Sequence, residues 1–312
     1  MAIKRPEELD FSEKTFTLII SGSPGIGKTT LALSAPEPLL FDLDRGISRV
    51  RAEHRKLASE AETYEEMLED MQSNAYRAAK SVVLDTGGSL IQLMQPWAKK
   101  QDAKAARDGR AMFGVVKREF DRLTAQMRQD RKNVIIIFHT TEVAKGDVIT
   151  QRLSCEGSAK DIVWTPADLG CYMQMMGQKR VLGFTPTDEY FAKGCYGIGG
   201  MREVPSLKPG QPNDYLTRLF EEARQNIMAE MQEYAPQRKA YDAAMSEGRD
   251  VVAAIETVDD LNAAARQIGQ MEHALTSKKE LGAMLNAKAK ELGATYSKEA
   301  KGYVPADVQP AK

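Results

Sequence analysis

The sequence predicts a mixed α/β fold, a mostly parallel sheet flanked by helices with an antiparallel hairpin late in the sheet, followed by an all-helical region. Three observations carry that prediction. To about residue 205, continuous apolar runs of strand length alternate with helix-length stretches, the pattern of a sheet covered on both faces. The turn-rich stretch Pro205-Ser206-Leu207-Lys208-Pro209-Gly210-Gln211-Pro212 then interrupts the chain. Behind it, residues 213–300 are rich in Ala, Glu, Lys, Met and Gln, with no run that reads as a strand. The expected organisation is a core over 1–210, a helical region over 211–302 and a disordered tail over 303–312.

The first strand, residues 16–21, runs directly into Gly22-Ser23-Pro24-Gly25-Ile26-Gly27-Lys28-Thr29-Thr30, which fits G-x-x-x-x-G-K-[ST]. A strand, a glycine-rich turn and a helix in that order make a phosphate cradle. The glycines let the backbone curl so that successive N–H groups point inward. The start of the helix adds its positive end to the same place. Lys28 is placed to reach the β- and γ-phosphates of a nucleoside triphosphate, and the Thr29 hydroxyl to ligate Mg²⁺. The helix itself, residues 29–34, stops before Pro36.

A second strand, residues 39–43, ends in Asp42-Leu43-Asp44-Arg45-Gly46. Asp44 reads as a carboxylate that orients and deprotonates a water, or as a solvated turn aspartate. After a helix over 63–80, strand 81–84 delivers Asp85 to the same sheet edge. Asp85 then stands beside the Mg²⁺, or serves as the N-cap of the next helix, 88–100. A further helix, 113–131, leads to strand 133–138 and His139 at its tip. That imidazole can touch the γ-phosphate and report hydrolysis to the following loop, or be a satisfied strand-end histidine. Residues 172–176 and 180–185, joined by Gly177-Gln178, read as the antiparallel hairpin.

In the helical region, Thr257-Val258-Asp259-Asp260 and Ser277-Lys278-Lys279-Glu280 read as helix starts. Behind them Val258, Leu261, Ala265 and Ile268, and then Leu281, Leu285, Ala289 and Leu292, recur at three- and four-residue steps. Each run has one apolar stripe, so the pair reads as a helical hairpin.

Bulk properties exclude several classes. The net charge of −1 advertises no global field for nucleic acid, so any such contact must be local. Three cysteines far apart suit a reducing cytoplasm and argue against a disulfide framework or a zinc site. His54, His139 and His273 are too scattered to propose a metal centre. No stretch approaches the roughly 20 apolar residues that span a bilayer, so no membrane partner is expected.

With these strands in order the chain resembles the RecA-like core of P-loop ATPases, most of all the bacteriophage nucleotide-binding proteins that include single-strand annealing recombination ATPases. The likeness covers about residues 12–200. It is carried by residues 22–30, Leu40-Phe41-Asp42-Leu43-Asp44-Arg45-Gly46, Val82-Val83-Leu84-Asp85, Phe113-Gly114-Val115-Val116, Val134-Ile135-Ile136-Ile137-Phe138-His139 and Lys193-Gly194-Cys195-Tyr196-Gly197. The resemblance implies ATP and Mg²⁺ as cofactors, a host cytoplasm, and a homo-oligomer with ATP at the subunit boundary. Asp44 matches the water-activating acid, usually Glu in RecA-like proteins, and His139 the γ-phosphate switch. Lys193 matches a cation that reaches into the neighbour's nucleotide. The arginine of that element is replaced by Cys195, which implies slow hydrolysis unless Arg180 or Arg202 compensates.

The resemblance also implies two DNA-facing segments, residues 97–112 and 140–154. The first holds five basic residues (Lys99, Lys100, Lys104, Arg107 and Arg110) against two acidic ones, beside Trp97 as a stacking face. An amphipathic helix end is the plainer account of the same residues. The expected function is therefore ATP-dependent binding and pairing of single-stranded DNA, with a single-strand-binding protein as a further partner. The alternatives are a small-molecule or nucleotide kinase, for which no Arg-rich lid is visible, and a non-catalytic ATP-holding adaptor whose helical region docks a partner.

Overall fold

Among the described residues nine strands form the main sheet, and their order sets where the chemistry converges. In the computed structural model, which describes residue 4 and residues 9–145, 148–154 and 163–306, contacts divide the chain into two units. One is Asp10–Ile227; the other is Met228–Lys312 with Met1–Leu9.

In the first unit, β1 (Thr17–Gly22) is buried at every position. It lies between β5 (Asn133–Lys145) and β7 (Leu169–Met176) and is parallel to both. On the β5 side follow β4 (Ser81–Asp85), β2 (Pro38–Asp42) and the short β3 (Ala58–Ser59), all parallel. On the other side β8 (Lys179–Gly183) and β9 (Met201–Val204) turn antiparallel. The β7–β8 turn at Gly177-Gln178 is the expected hairpin, with Gly177 at φ 61°. Central strands covered by helices have no solvent face, which is why they read as unbroken apolar runs. Because parallel strands share one polarity, the register brings Gly22 beside His139, Asp85 beside Ile137 and Asp42 beside Asp85. Gly22, Asp42, Asp85 and His139 therefore share one edge, the carboxyl edge where α/β sheets bind ligands.

The helices on this sheet are α1 (Lys28–Ala32), α2 (Tyr64–Asp70), α3 (Asn74–Ala78), α4 (Gly87–Gln101) and α5 (Gly109–Gln129). The single helix expected over 63–80 is two. Thr63 and Glu66 form a capping box for α2, and Ser73 breaks the run by accepting the Tyr76 N–H as the cap of α3. One core cluster joins Phe41, Tyr64, Met67, Leu90, Met94, Phe120 and Phe138, all at most 2% exposed. Each such side chain stabilises the fold by about 1.5–3 kcal/mol. Gly87 opens α4 where no side chain fits: a Cβ there would lie 2.3 Å from Phe138 Cζ.

Strand β5 does not end at residue 138, as the apolar run suggests. It continues to Lys145 and returns through β6 (Val148–Leu153), with Thr140 paired to Leu153. The segment expected as a DNA-facing loop is thus largely a two-stranded ribbon. Its described side chains are exposed or half-buried, with Leu153 packed against the main core, so the pair needs no continuous apolar run.

In the second unit, the part of α6 (Tyr215–Ala253) beyond residue 227 joins α7 (Val258–Gln270) and α8 (Ser277–Glu291). The predicted stripes meet: Leu261, Ile268, Leu281, Leu285 and Ala289 share one core. Thr257 and Asp260 make the expected capping box. The second predicted start differs by one residue: Thr276 is the cap position, and Ser277, fully buried as the first helical residue, accepts from Ala274 N ahead of the helix at 3.2 Å. Residues 303–305 are not a disordered tail. Gly302–Pro305 forms β11 against β10 (Ala294–Ser297), with Tyr303 9% exposed in the same core. Asn262 holds both backbone groups of Tyr303, donating to its O at 2.8 Å and accepting from its N at 2.7 Å. The last six residues, 307–312, lie outside the described residues. Among the described residues no helix is long and apolar enough to cross a membrane.

Candidate nucleotide site

Every P-loop residue lies at the carboxyl end of β1, where the strand turns into α1. Gly27, the residue before the helix, sits at φ 107°, a backbone conformation that favours glycine. Helix α1 has only five residues, so the amides of the curled loop, more than a long helix dipole, define the anion site.

Lys28 is 4% exposed. Its Nζ donates to Gly22 O and Ser23 O, both at 2.9 Å, and lies 3.1 Å from His139 Nδ1. Among the described residues it forms no ion pair. Burial pulls its ammonium down to about 8, opposed by the charges of Asp85 and Asp44. A buried cation served only by carbonyl oxygens and an imidazole is short of a counter-charge, and a phosphate group supplies one. The residues present fit a nucleoside triphosphate.

Thr29 Oγ1 donates to Asp85 Oδ2 at 2.6 Å. The hydroxyl and carboxylate needed for Mg²⁺ are thus already together, although they come from α1 and β4. Burial raises the Asp85 carboxyl above its ordinary value, with the Thr29 hydrogen bond opposing the shift. Asp85 is not the cap of α4; Thr86 is, accepting from Ser89 N. Both donors are hard oxygens, as Mg²⁺ requires. Among the described residues there is no cluster of three or more His, Cys, Asp or Glu for a protein-only metal centre.

Asp44 is not a free turn aspartate. His139 Nε2 stands 3.4 Å from its Oδ2, and the Ser89 hydroxyl donates to its Oδ1. The hydrogen bond from His139 lowers its carboxyl below the usual range, and Ser89 adds to the effect. Since the Lys28 ammonium can only donate, His139 Nδ1 accepts, which leaves the ring proton on Nε2 facing Asp44. Lys28, His139 and Asp44 form one connected line. The turn that carries Asp44 is held from below: buried Asp42 accepts from Gly46 N at 2.7 Å and Ile47 N at 2.8 Å. Asp44 N also donates to Asp85 O at 3.1 Å, tying the turn to the end of β4.

Lys28, Thr29, Asp85, Asp44 and His139 thus gather at one edge of the sheet. A family described as AAA domain matches residues 14–196, more than half of the chain. The chain belongs to this AAA-domain family. No curated protein matches the chain. As an AAA domain it is a nucleotide-binding P-loop ATPase, which implies ATP and usually Mg²⁺ as its cofactor.

Other predicted residues of this AAA domain fall elsewhere. Lys193 exchanges backbone hydrogen bonds with Gly170 at 2.8 and 2.9 Å, and its Nζ donates to Ala167 O. That places it near the start of β7, away from its own chain's P-loop, which lies at the other end of that strand. Arg202 is taken by Glu222 in a bidentate pair, both bonds 2.8 Å. Arg180 does reach the P-loop, within the same chain, donating from Nε to Ile26 O at 2.8 Å. Trp97 is no free stacking face: its indole packs edge-on to Tyr64, centroids 5.2 Å apart, against the main core. Lys99, Lys100, Lys104, Arg107 and Arg110 are exposed around the α4–α5 connection. Lys100 pairs with Glu65 at 2.9 Å; among the described residues the other four form no ion pair.

Asp42, Thr86 and Ser89 belong to the site and were not singled out by the sequence. Thr86-Gly87-Gly88-Ser89 does read as a helix start. That its serine turns toward the end of β2 is decided by strand pairing.

Proposed function

We propose that this ATPase has a RecA-like core and is a recombination protein that binds single-stranded DNA and promotes annealing or strand pairing, driven by ATP. The observation that carries the hydrolytic half is the line Lys28–His139–Asp44. Lys28 binds the phosphates, leaving the carbonyls it occupies in this state. Asp44, aimed by Ser89 and His139, takes the proton of the attacking water at its carboxylate. His139 stands between phosphate and acid, and feels both. Thr29 and Asp85 would hold Mg²⁺, which neutralises charge on the β- and γ-phosphates when bound. His139 also begins the β5–β6 ribbon, so a change at the phosphate has a direct covalent path to a projecting element.

The DNA half is supported by the exposed cations Lys99, Lys104, Arg107 and Arg110, which form no ion pair among the described residues and lie on the α4–α5 connection and the helix turns that flank it. Backbone charge, not base stacking on Trp97, is the contact this segment offers. In the same proposal the protein works as a homo-oligomer, with Lys193 presented to a neighbour after leaving Ala167.

The test is the salt dependence of single-stranded DNA binding. Each cation on a phosphate contributes about 0.7 to the slope, so Lys104→Ala/Arg107→Ala/Arg110→Ala should flatten it by about 2. Stimulation of phosphate release by the DNA should fall in parallel. No binding by the unmodified protein at low salt, with no stimulation, would remove the recombination function and leave the ATPase standing.

A further inference from the structure

At the base of the β5–β6 ribbon a cavity of about 330 Å³ opens beside the sheet, lined by Thr140, Arg152, Leu153, Trp164, Tyr190 and Phe191 among others. Its aromatic walls are fixed. Trp164 packs on Phe191 with ring centroids 4.5 Å apart, and Tyr190 stacks on Tyr172 at 4.6 Å. Trp164 lies so close to β7 that a Cβ on Gly170 would meet its ring at 2.1 Å. The ribbon is joined to this wall, because Thr150 Oγ1 donates to Asp188 O at 3.4 Å and Gln151 bridges to Tyr190. Yet Phe191 is 53% exposed, and Ile149, next to Thr150 of the lining, is 54% exposed. Large apolar side chains left bare beside such a cavity mark an interaction site.

The charge around the cavity is mostly acidic. Glu142 accepts from Gln151 Nε2 at 3.2 Å, and Asp188 and Glu189 directly precede Tyr190. Burial chiefly raises the Tyr172 phenol above its ordinary value, and the charges of Glu142 and Glu189 add to the rise. Both carboxylates therefore lie near the stacked tyrosines. Among the described residues none of these three acids forms an ion pair, and Arg152 is the one cation lining the cavity. A surplus of carboxylates repels phosphates, so this rim does not select nucleic acid. It suits an apolar side chain carried between cations.

The chain itself presents such a side chain. Leu57 is 59% exposed, the most exposed large apolar residue among the described ones. It precedes β3, the open edge of the sheet, and its O accepts from Leu40 N at 3.0 Å, so its backbone is held. Residues 50–59 carry Arg51, Arg55 and Lys56 against one acid, Glu53. Among the described residues these three cations form no ion pair. Ser21 of β1 also lines the cavity, and β3 is four strands from β1, about 19 Å at the usual spacing. Leu57 cannot enter the cavity of its own chain.

We propose that Leu57 of a second copy inserts into this cavity, with Arg55 and Lys56 facing Glu142, Asp188 and Glu189. Knob and cavity occupy different surfaces of one chain, so the contact is head-to-tail and repeats into a ring or a filament. The proposal rests on the homo-oligomer part of the proposed function and supplies its contact.

Sedimentation velocity of the full chain, over a series of concentrations with MgATP present, tests it. Leu57→Asp removes the knob and keeps the cavity; Phe191→Asp spoils the cavity and keeps the knob. Each alone should weaken association at least about tenfold, the worth of one buried leucine. Mixed in equal amounts, the two variants share one intact knob and one intact cavity, so they should pair and stop at the dimer. Thermal melts control for folding, and Ile149→Asp replaces Phe191→Asp if the latter melts early. Variants that assemble like the unmodified protein would overturn this contact and leave the oligomer standing. Variants that are monomeric alone and stay monomeric when mixed would also overturn it. An unmodified protein that is monomeric throughout would overturn the oligomer as well. Loss of single-stranded DNA binding by Phe191→Asp, with assembly unchanged, would overturn the contact in favour of a nucleic-acid site.

Discussion

Replacing Asp44 by Asn isolates the acid at the centre of the proposed hydrolysis. The side chain keeps its shape but loses its charge, and its contacts conflict. Ser89 donates to one oxygen, and His139 Nε2 faces the other at 3.4 Å. An amide can accept from only one of them. Turned to serve Ser89, it sets its NH₂ against the proton on Nε2. Relief by moving that proton to Nδ1 would set it against the Lys28 ammonium, 3.1 Å away. Loss of a general base typically lowers turnover 10²–10⁴-fold, or about 2.7–5.4 kcal/mol of transition-state stabilisation. Asp44 touches neither the Lys28 carbonyl contacts nor the Thr29–Asp85 pair, so MgATP affinity should stay within about threefold. Steady-state phosphate release at saturating MgATP, paired with equilibrium binding, measures the two separately. Ser89→Ala, which removes one orienting hydrogen bond, should cost about 1 kcal/mol, a several-fold drop in turnover. Turnover of the Asn variant within about threefold of the unmodified protein would refute the assignment of Asp44 as the base. So would a loss confined to affinity.

Two further outcomes follow from the core. Gly87→Ala places a Cβ 2.3 Å from Phe138 Cζ and 2.8 Å from Ile136 Cγ2. The overpacking should destabilise by about 1–3 kcal/mol in urea titration, and an unchanged midpoint would contradict this packing. Glu119 accepts from Tyr64 Oη at 2.6 Å and from Arg122 Nη2 at 2.6 Å. Burial works to raise its carboxyl, but the bonds from Arg122 and Tyr64 prevail and hold it below the ordinary value. A folded value below the unfolded one means its contribution is complete above the unfolded value, about 4.3. That contribution is lost as pH falls through the lower folded value. Glu119→Gln should thus cost about 1.5–3 kcal/mol at pH 7, with the gap from the unmodified protein closing below about pH 4. A gap that does not change with pH would count against the charged bond.

The placing of Lys28, Thr29, Asp85 and His139 at one sheet edge was legible because their information is local or follows from strand polarity alone. Thr29 and Asp85 could be paired in advance: one follows a P-loop lysine, the other ends an apolar strand, and parallel strands deliver both to one edge. His139 was legible on the same ground. Trp97 and Lys193 were not. An aromatic beside lysines looks the same in sequence whether it stands free or, as here, packs on Tyr64. A loop lysine gives no sign that its head will bind the carbonyl of Ala167.

Alternating apolar runs, the glycine spacing of residues 22–30 and the composition change after residue 205 determined by themselves that this chain is an α/β phosphate-binding core followed by helices. Such features depend on neighbours a few residues apart, whose periodicity and backbone needs act before any long-range contact exists. Strand order, the Ser89 and His139 contacts on Asp44, the β5–β6 ribbon and the cavity beside Trp164 were decided only in three dimensions. Each joins residues from elements far apart in the chain. Which partner an exposed hydroxyl or guanidinium meets depends on pairing and packing that no local pattern encodes.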